Sequence, residues 1–77
     1  MDKAAIFGTG AWATALALVL CRRGLRVVLR AHEPGIADEL ERSGENSIFL
    51  PGFQFPSNLH VVYDMGEALE GSGLAVM

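Results

Sequence analysis

The 77-residue chain is poor in most of the groups that carry chemistry: it has one cysteine, one tryptophan, one tyrosine and a single lysine, Lys3. A lone cysteine, Cys21, excludes an internal disulfide and has no metal-ligand spacing around it, so no metal site is expected. It reads as a small apolar residue of a helix, in a reducing compartment such as the cytoplasm. Positive charge is scarce as well. The net charge of −3 gives no electrostatic reason to expect nucleic acid or anionic lipid as a partner. There is no internal repeat and no low-complexity tract. No pair of titratable residues has a spacing suited to proton transfer, so no catalytic residue is assigned. Hydrophobic residues, in contrast, make up 51% of the chain, too many for a disordered protein. Seventy-seven residues build one small domain at most, and a domain of this size buries only about 60% of its unfolded surface.

An uncharged stretch runs over residues 4–21 and is followed by Arg22 and Arg23. Its eighteen residues reach the minimum for a membrane-spanning helix with cations at one end. A signal peptide fits worse, because only Lys3 supplies a positive start and no A-x-A site follows. The glycines divide the stretch. Lys3 to Phe7 has strand character, Gly8-Thr9-Gly10 interrupts it, and Ala11 to Cys21 reads as a helix. Each glycine inside a continuous helix would cost about 1 kcal/mol relative to alanine. Gly24 then stops the helix after two cations, and Leu25 to Leu29 is a second short apolar run. Strand, glycine turn, helix, glycine and strand form a βαβ unit, so no membrane span is expected. The helix is apolar on nearly every side, which predicts packing between a sheet and a second layer.

Pro34 opens a second helix that runs to about Ser43 and is ended by Gly44. Ile36, Ala37 and Leu40 form its apolar stripe, and Asp38 and Arg42 have the order for an i,i+4 pair. Residues 45–58 read as a long connection. Leu59 to Tyr63 is a third strand, Asp64 and Glu67 have capping-box spacing for a short helix to Glu70, and Leu74 to Met77 begins a fourth strand. A strand that stops on an apolar residue suggests a truncated chain, because a new carboxylate there would need desolvation.

The turn after the first strand carries the chemistry. A helix N-terminus with unpaired N–H groups and a positive dipole end attracts a pyrophosphate. Gly8 allows the tight turn, Gly10 lets the backbone approach the phosphates, and Ala13 keeps the third position small, giving G-x-G-x-x-A. Between two strands, and opening a helix, the pattern reads as a dinucleotide cradle. The fold class is therefore α/β, a partial Rossmann fold: a doubly wound parallel sheet of order 3-2-1-4, truncated in the fourth strand. The end of the second strand reads Arg30-Ala31-His32-Glu33. Arg30 and His32 suit a 2′-phosphate, whereas Glu33 suits ribose hydroxyls or simply faces the helix start, so NAD and NADP both stay open. The plainer alternative is a solvated arginine and a surface histidine.

FGTGAWATALALVLCRRG resembles the N-terminal segment of NAD(P)-dependent glycerol-3-phosphate dehydrogenases, whose usual form is G-x-G-S-W-G-T-A-L-A with a later glycine. Arg30-Ala31-His32-Glu33-Pro34 and Asn46-Ser47-Ile48-Phe49-Leu50-Pro51-Gly52 resemble two further blocks of that family in order and spacing, the second being its N-x-x-[YF]-L-P motif. Ala11 stands where the family has serine and Ala13 where it has glycine. The resemblance covers essentially the whole chain and makes residues 1–77 the N-terminal portion of an NAD(P)-binding domain, without the C-terminal substrate domain. It implies interconversion of glycerol 3-phosphate and dihydroxyacetone phosphate by hydride transfer, feeding glycerophospholipid synthesis. It also implies that Ala11 and Trp12 lie over the cofactor, His32 at the adenosine ribose or its phosphate, and Phe49 beside the cofactor. For Trp12 the alternative is a core aromatic at a helix start. Phe53 and Phe55 are expected to pack under the long connection, and His60 to be an ordinary strand residue.

The family's catalytic lysine and substrate-phosphate ligands lie beyond Met77, so this chain alone is expected to bind NAD or NADP without turnover. Substrate would be a partner only of a full-length enzyme. A second reading is a non-catalytic dinucleotide-binding module that completes its sheet with a partner chain, or with a second copy, through the exposed fourth-strand edge.

Overall fold

The computed structural model describes residues 2–46 and 50–76. Nine elements follow one another: β1 (Lys3–Phe7), α1 (Ala11–Arg22), β2 (Arg26–Arg30), α2 (Pro34–Ser43), β3 (Glu45–Asn46), β4 (Leu50–Gln54), β5 (Leu59–Val62), α3 (Met65–Leu69) and β6 (Leu74–Val76). Four strands form one parallel sheet in the order β5-β2-β1-β6. This is the 3-2-1-4 order expected of a partial Rossmann fold.

The register runs Lys3 opposite Arg26, Val27 opposite Leu59 and Ala4 opposite Leu74. Because all four strands point the same way, their carboxyl ends share one edge of the sheet. The glycine turn after Phe7, the segment after Arg30 and the segment after Val62 therefore lie along that edge.

The central strands read as continuous apolar runs because both faces are covered. Ala4, Ala5, Ile6, Val27, Val28 and Leu29 are all buried. Ala13, Ala17 and Cys21 of α1 and Ala37 and Leu40 of α2 meet Ile6, Val27 and Leu29 in a single cluster. Burial there pushes the Cys21 thiol above its ordinary pKa, as expected of an apolar thiol.

Several local expectations are corrected. The residue 45–58 connection contains a short antiparallel pair, β3 with β4, which has a bulge at Glu45 and Asn46. Arg42 pairs with Glu39, one residue closer in the chain than Asp38. Ile36 is 40% exposed, while Ala37 and Leu40 carry the buried stripe of α2. The outer face of α1 lacks a full second layer among the described residues. Val19 stays half exposed, and Phe53 of β4 is the aromatic that reaches that side, lining a shallow hollow with Leu18 and Val19. Phe55 packs against the core as expected, whereas Phe53 is 49% exposed.

Three polar anchors hold the elements. Lys3, buried at the start of β1, donates to the carbonyls of Glu67 and Glu70 at 3.2 and 2.7 Å and closes the carboxyl end of α3. Asp64 caps the other end, accepting from the Glu67 N–H at 2.7 Å. Asn58 donates to the carbonyls of Cys21 and Leu25 at 3.2 and 2.7 Å, fixing the turn between α1 and β2.

Candidate functional site

Gly8 leaves β1 at φ +123°, a conformation that L side chains rarely adopt, and its N–H donates to the Arg30 carbonyl at 2.9 Å. A Cβ built on it would lie 4.0 Å from the Ala13 methyl, so the third motif position is filled to ordinary contact by alanine. Gly10 differs. Its φ of −70° and ψ of 177° are open to any residue, and a Cβ there would meet nothing within 4 Å among the described residues. Among the described residues nothing requires glycine at this position. The space above it is what a close-approaching phosphate needs.

Gly10 is also the N-cap of α1, with no side-chain capping bond and no acidic residue in the first turn. The first N–H groups of a helix have no intrahelical partner, and no carboxylate of this first turn competes for the positive end. Ala11 and Trp12 are both exposed, Trp12 by 68%, so Trp12 is not a core aromatic. It stands on the open side of the turn. The residues present therefore fit a dinucleotide pyrophosphate.

Arg30, at the carboxyl end of β2, is fixed by Tyr63. Its Nε donates to the Tyr63 carbonyl at 2.9 Å, and its guanidinium carbon lies 5.1 Å from the centre of the Tyr63 ring. His32 and Glu33 are exposed beyond it, and Glu33 precedes α2 without making a capping bond. A cleft of about 350 Å³ opens between Thr9, Asn46 and the α2 residues Gly35, Ile36 and Leu40, with Glu33 and Glu39 completing its lining. Phe49 lies outside the described residues. His60 is an exposed strand residue whose Nδ1 lies 3.2 Å from the Glu41 carboxylate, away from the turn.

Two residues at the turn were not assigned from sequence. Asn46 is 2% exposed, and its side-chain amide donates to the Thr9 carbonyl at 2.5 Å and to the Thr14 hydroxyl at 3.1 Å. Thr14 is itself fully buried on α1. The available signal was Asn46 at the head of the N-x-x-[YF]-L-P block. A contact across 37 residues of sequence has no periodicity that would reveal it.

The chain is similar to known proteins over nearly its whole length. "Glycerol-3-phosphate dehydrogenase [NAD(P)+]" of Chlorobium phaeobacteroides is 43% identical over 74 residues, which span 96% of this chain and 22% of that protein. The protein of the same name from Moorella thermoacetica is 38% identical over 76 residues, covering 99% and 23%. The crystal structure of glycerol-3-phosphate dehydrogenase from Coxiella burnetii superimposes with a TM-score of 0.88 at 40% identity, covering 97% of this chain and 24% of that one. The chain thus spans about a quarter or less of the length of these relatives. Residues 3–77 match the family model described as the NAD-dependent glycerol-3-phosphate dehydrogenase N-terminus, and the chain belongs to that family.

Proposed function

We propose that this chain is the cofactor-holding N-terminal part of an NAD(P)-dependent glycerol-3-phosphate dehydrogenase, residues 1–77 of its Rossmann domain. The observation that carries this reading is the open space above Gly10 at the uncapped start of α1. NAD or NADP, when bound, would supply the hydride acceptor or donor. The protein's own groups do the rest. The backbone N–H groups of Gly10, Ala11 and Trp12 hold the pyrophosphate, and Ala13 lets the helix approach the strand. Arg30 and His32 face the adenosine ribose or its 2′-phosphate. The cleft beside Thr9 offers an apolar wall, and Glu33, which lines the same cleft, is the group to accept from ribose hydroxyls. Phe49 belongs to the same site by the family pattern.

Interconversion of glycerol 3-phosphate and dihydroxyacetone phosphate belongs to the full-length enzyme. The single lysine of this chain is committed to the α3 carbonyls, remote from the turn, so the 77-residue chain binds cofactor without turnover. Titration with NADH and NADPH, followed by quenching of the only tryptophan, Trp12, tests the binding. A flat titration for both sinks the reading, and steady-state reduction of dihydroxyacetone phosphate by this chain overturns the prediction of no turnover. Arg30→Ala is expected to weaken NADPH binding by about tenfold and NADH binding far less, since it removes the cation that would face the extra phosphate. Equal losses for both cofactors would remove Arg30 from that role.

A second reading, a non-catalytic module that completes its sheet with another chain, is supported by β6. This strand pairs with β1 alone among the described residues, and Ala75 is exposed on it.

A further inference from the structure

The glycine turn is shaped from outside itself. Thr9 and Gly10 are joined by a trans peptide, in which the carbonyl and the following N–H point in opposite directions. Asn46 draws the Thr9 carbonyl inward with a 2.5 Å bond. The Gly10 N–H on the same peptide plane is thereby turned away from Asn46. The second hydrogen of the Asn46 amide goes to Thr14 Oγ1, and the Thr14 N–H in turn donates to the Gly10 carbonyl at 3.0 Å. One buried amide thus fixes the peptide before Gly10 and the first turn of α1 after it.

We propose that Asn46 is the positioning residue of the cofactor turn, aiming the Gly10 N–H at the pyrophosphate from the β3–β4 hairpin. The inference rests on the cofactor reading above and adds to it a residue that acts on the phosphates through the Thr9–Gly10 peptide. Burial makes the assignment specific. An amide that served only the hairpin would have no need to spend both N–H groups on the turn and the helix. Without Asn46 the Thr9–Gly10 peptide is free to rotate, and the donor is presented only part of the time.

The test compares a ligand with phosphates and one without. ADP and adenosine binding to the 77-residue chain are measured by ligand-observed NMR, with thermal melting of each variant alongside. Asn46→Asp and Asn46→Ala are expected to weaken ADP binding by about tenfold and leave adenosine within about twofold, because only the phosphate donors are disturbed. Thr14→Val weakens ADP in the same direction, and Thr14→Ser, which restores the hydroxyl, recovers what Thr14→Val loses. If a position-46 variant fails to melt cooperatively, the Thr14 pair decides. Parallel loss of ADP and adenosine, or no loss of ADP in any variant, overturns the positioning role while wild-type NADH binding leaves the cofactor reading intact. Failure of the wild-type chain to bind ADP, NADH and NADPH overturns both.

Discussion

Gly8 holds a φ of +123°, whereas Gly10 holds −70°, and the two therefore resist substitution for different reasons. Alanine at position 8 would adopt a backbone conformation hostile to any Cβ, at about 1–3 kcal/mol. Alanine at position 10 meets no atom of the described residues within 4 Å, so the fold should lose less than about 0.5 kcal/mol. Its methyl would nevertheless occupy the space reserved for a phosphate. Gly8→Ala is accordingly expected to lower the melting temperature, and Gly10→Ala to leave it in place while weakening NADH binding about tenfold or more. Melting curves and Trp12 quenching on the two variants check this. A Gly10→Ala chain that binds NADH normally would show that no ligand approaches the turn there. The motif itself was legible in the sequence because glycine, glycine and a small residue at fixed offsets admit few other uses after a strand. Asn46 was not, since an asparagine becomes a positioning group only through the residues that the fold brings to it.

At the scale of elements, the parallel strands and α2 were legible because short β-branched runs and a proline-to-glycine helix leave plain marks. The β3–β4 pair was not. Its strands are short, Pro51 lies within one of them, and a bulge breaks the alternation. The end of α1 is a second case of long-range polar support. Its closing turn depends on Asn58, which bonds the carbonyls of Cys21 and Leu25 across the start of β5. Removing that amide leaves two partly buried carbonyls without this donor, at a cost of about 1–3 kcal/mol. In a domain of this size each kcal/mol lowers the melting temperature by roughly 4–8 °C. Asn58→Ala should therefore melt several degrees lower, measured by circular dichroism, with ADP affinity per folded molecule unchanged. A variant as stable as the parent would mean that solvent replaces Asn58 at no net loss.

At the scale of the whole molecule, the sheet has two unequal edges. On the β5 side, Glu41 accepts from the Val61 N–H at 3.3 Å and holds His60 Nδ1 at 3.2 Å, so a charged side chain covers edge backbone. That is a recognised way to blunt strand addition. The β6 side has no such cover among the described residues. Its three residues pair with β1, and Leu74 and Val76 are only half buried. This edge is the natural seat for another strand, whether from a longer chain, a partner or a second copy. For the isolated 77-residue chain we expect weak, concentration-dependent association through β6. Ala75 is exposed, so Ala75→Lys places a charge on that strand without disturbing the core. The substitution should shift sedimentation toward monomer at equal protein concentration while leaving Trp12 quenching by NADH as it was. Association that persists unchanged in Ala75→Lys would move the contact elsewhere, and the exposed outer face of α1 around Val19 and Phe53 would be the next surface to alter. Strict monomer behaviour of the parent chain would remove the support that β6 gives to the partner-completed module, and would leave the cofactor site to be explained by the dehydrogenase reading alone.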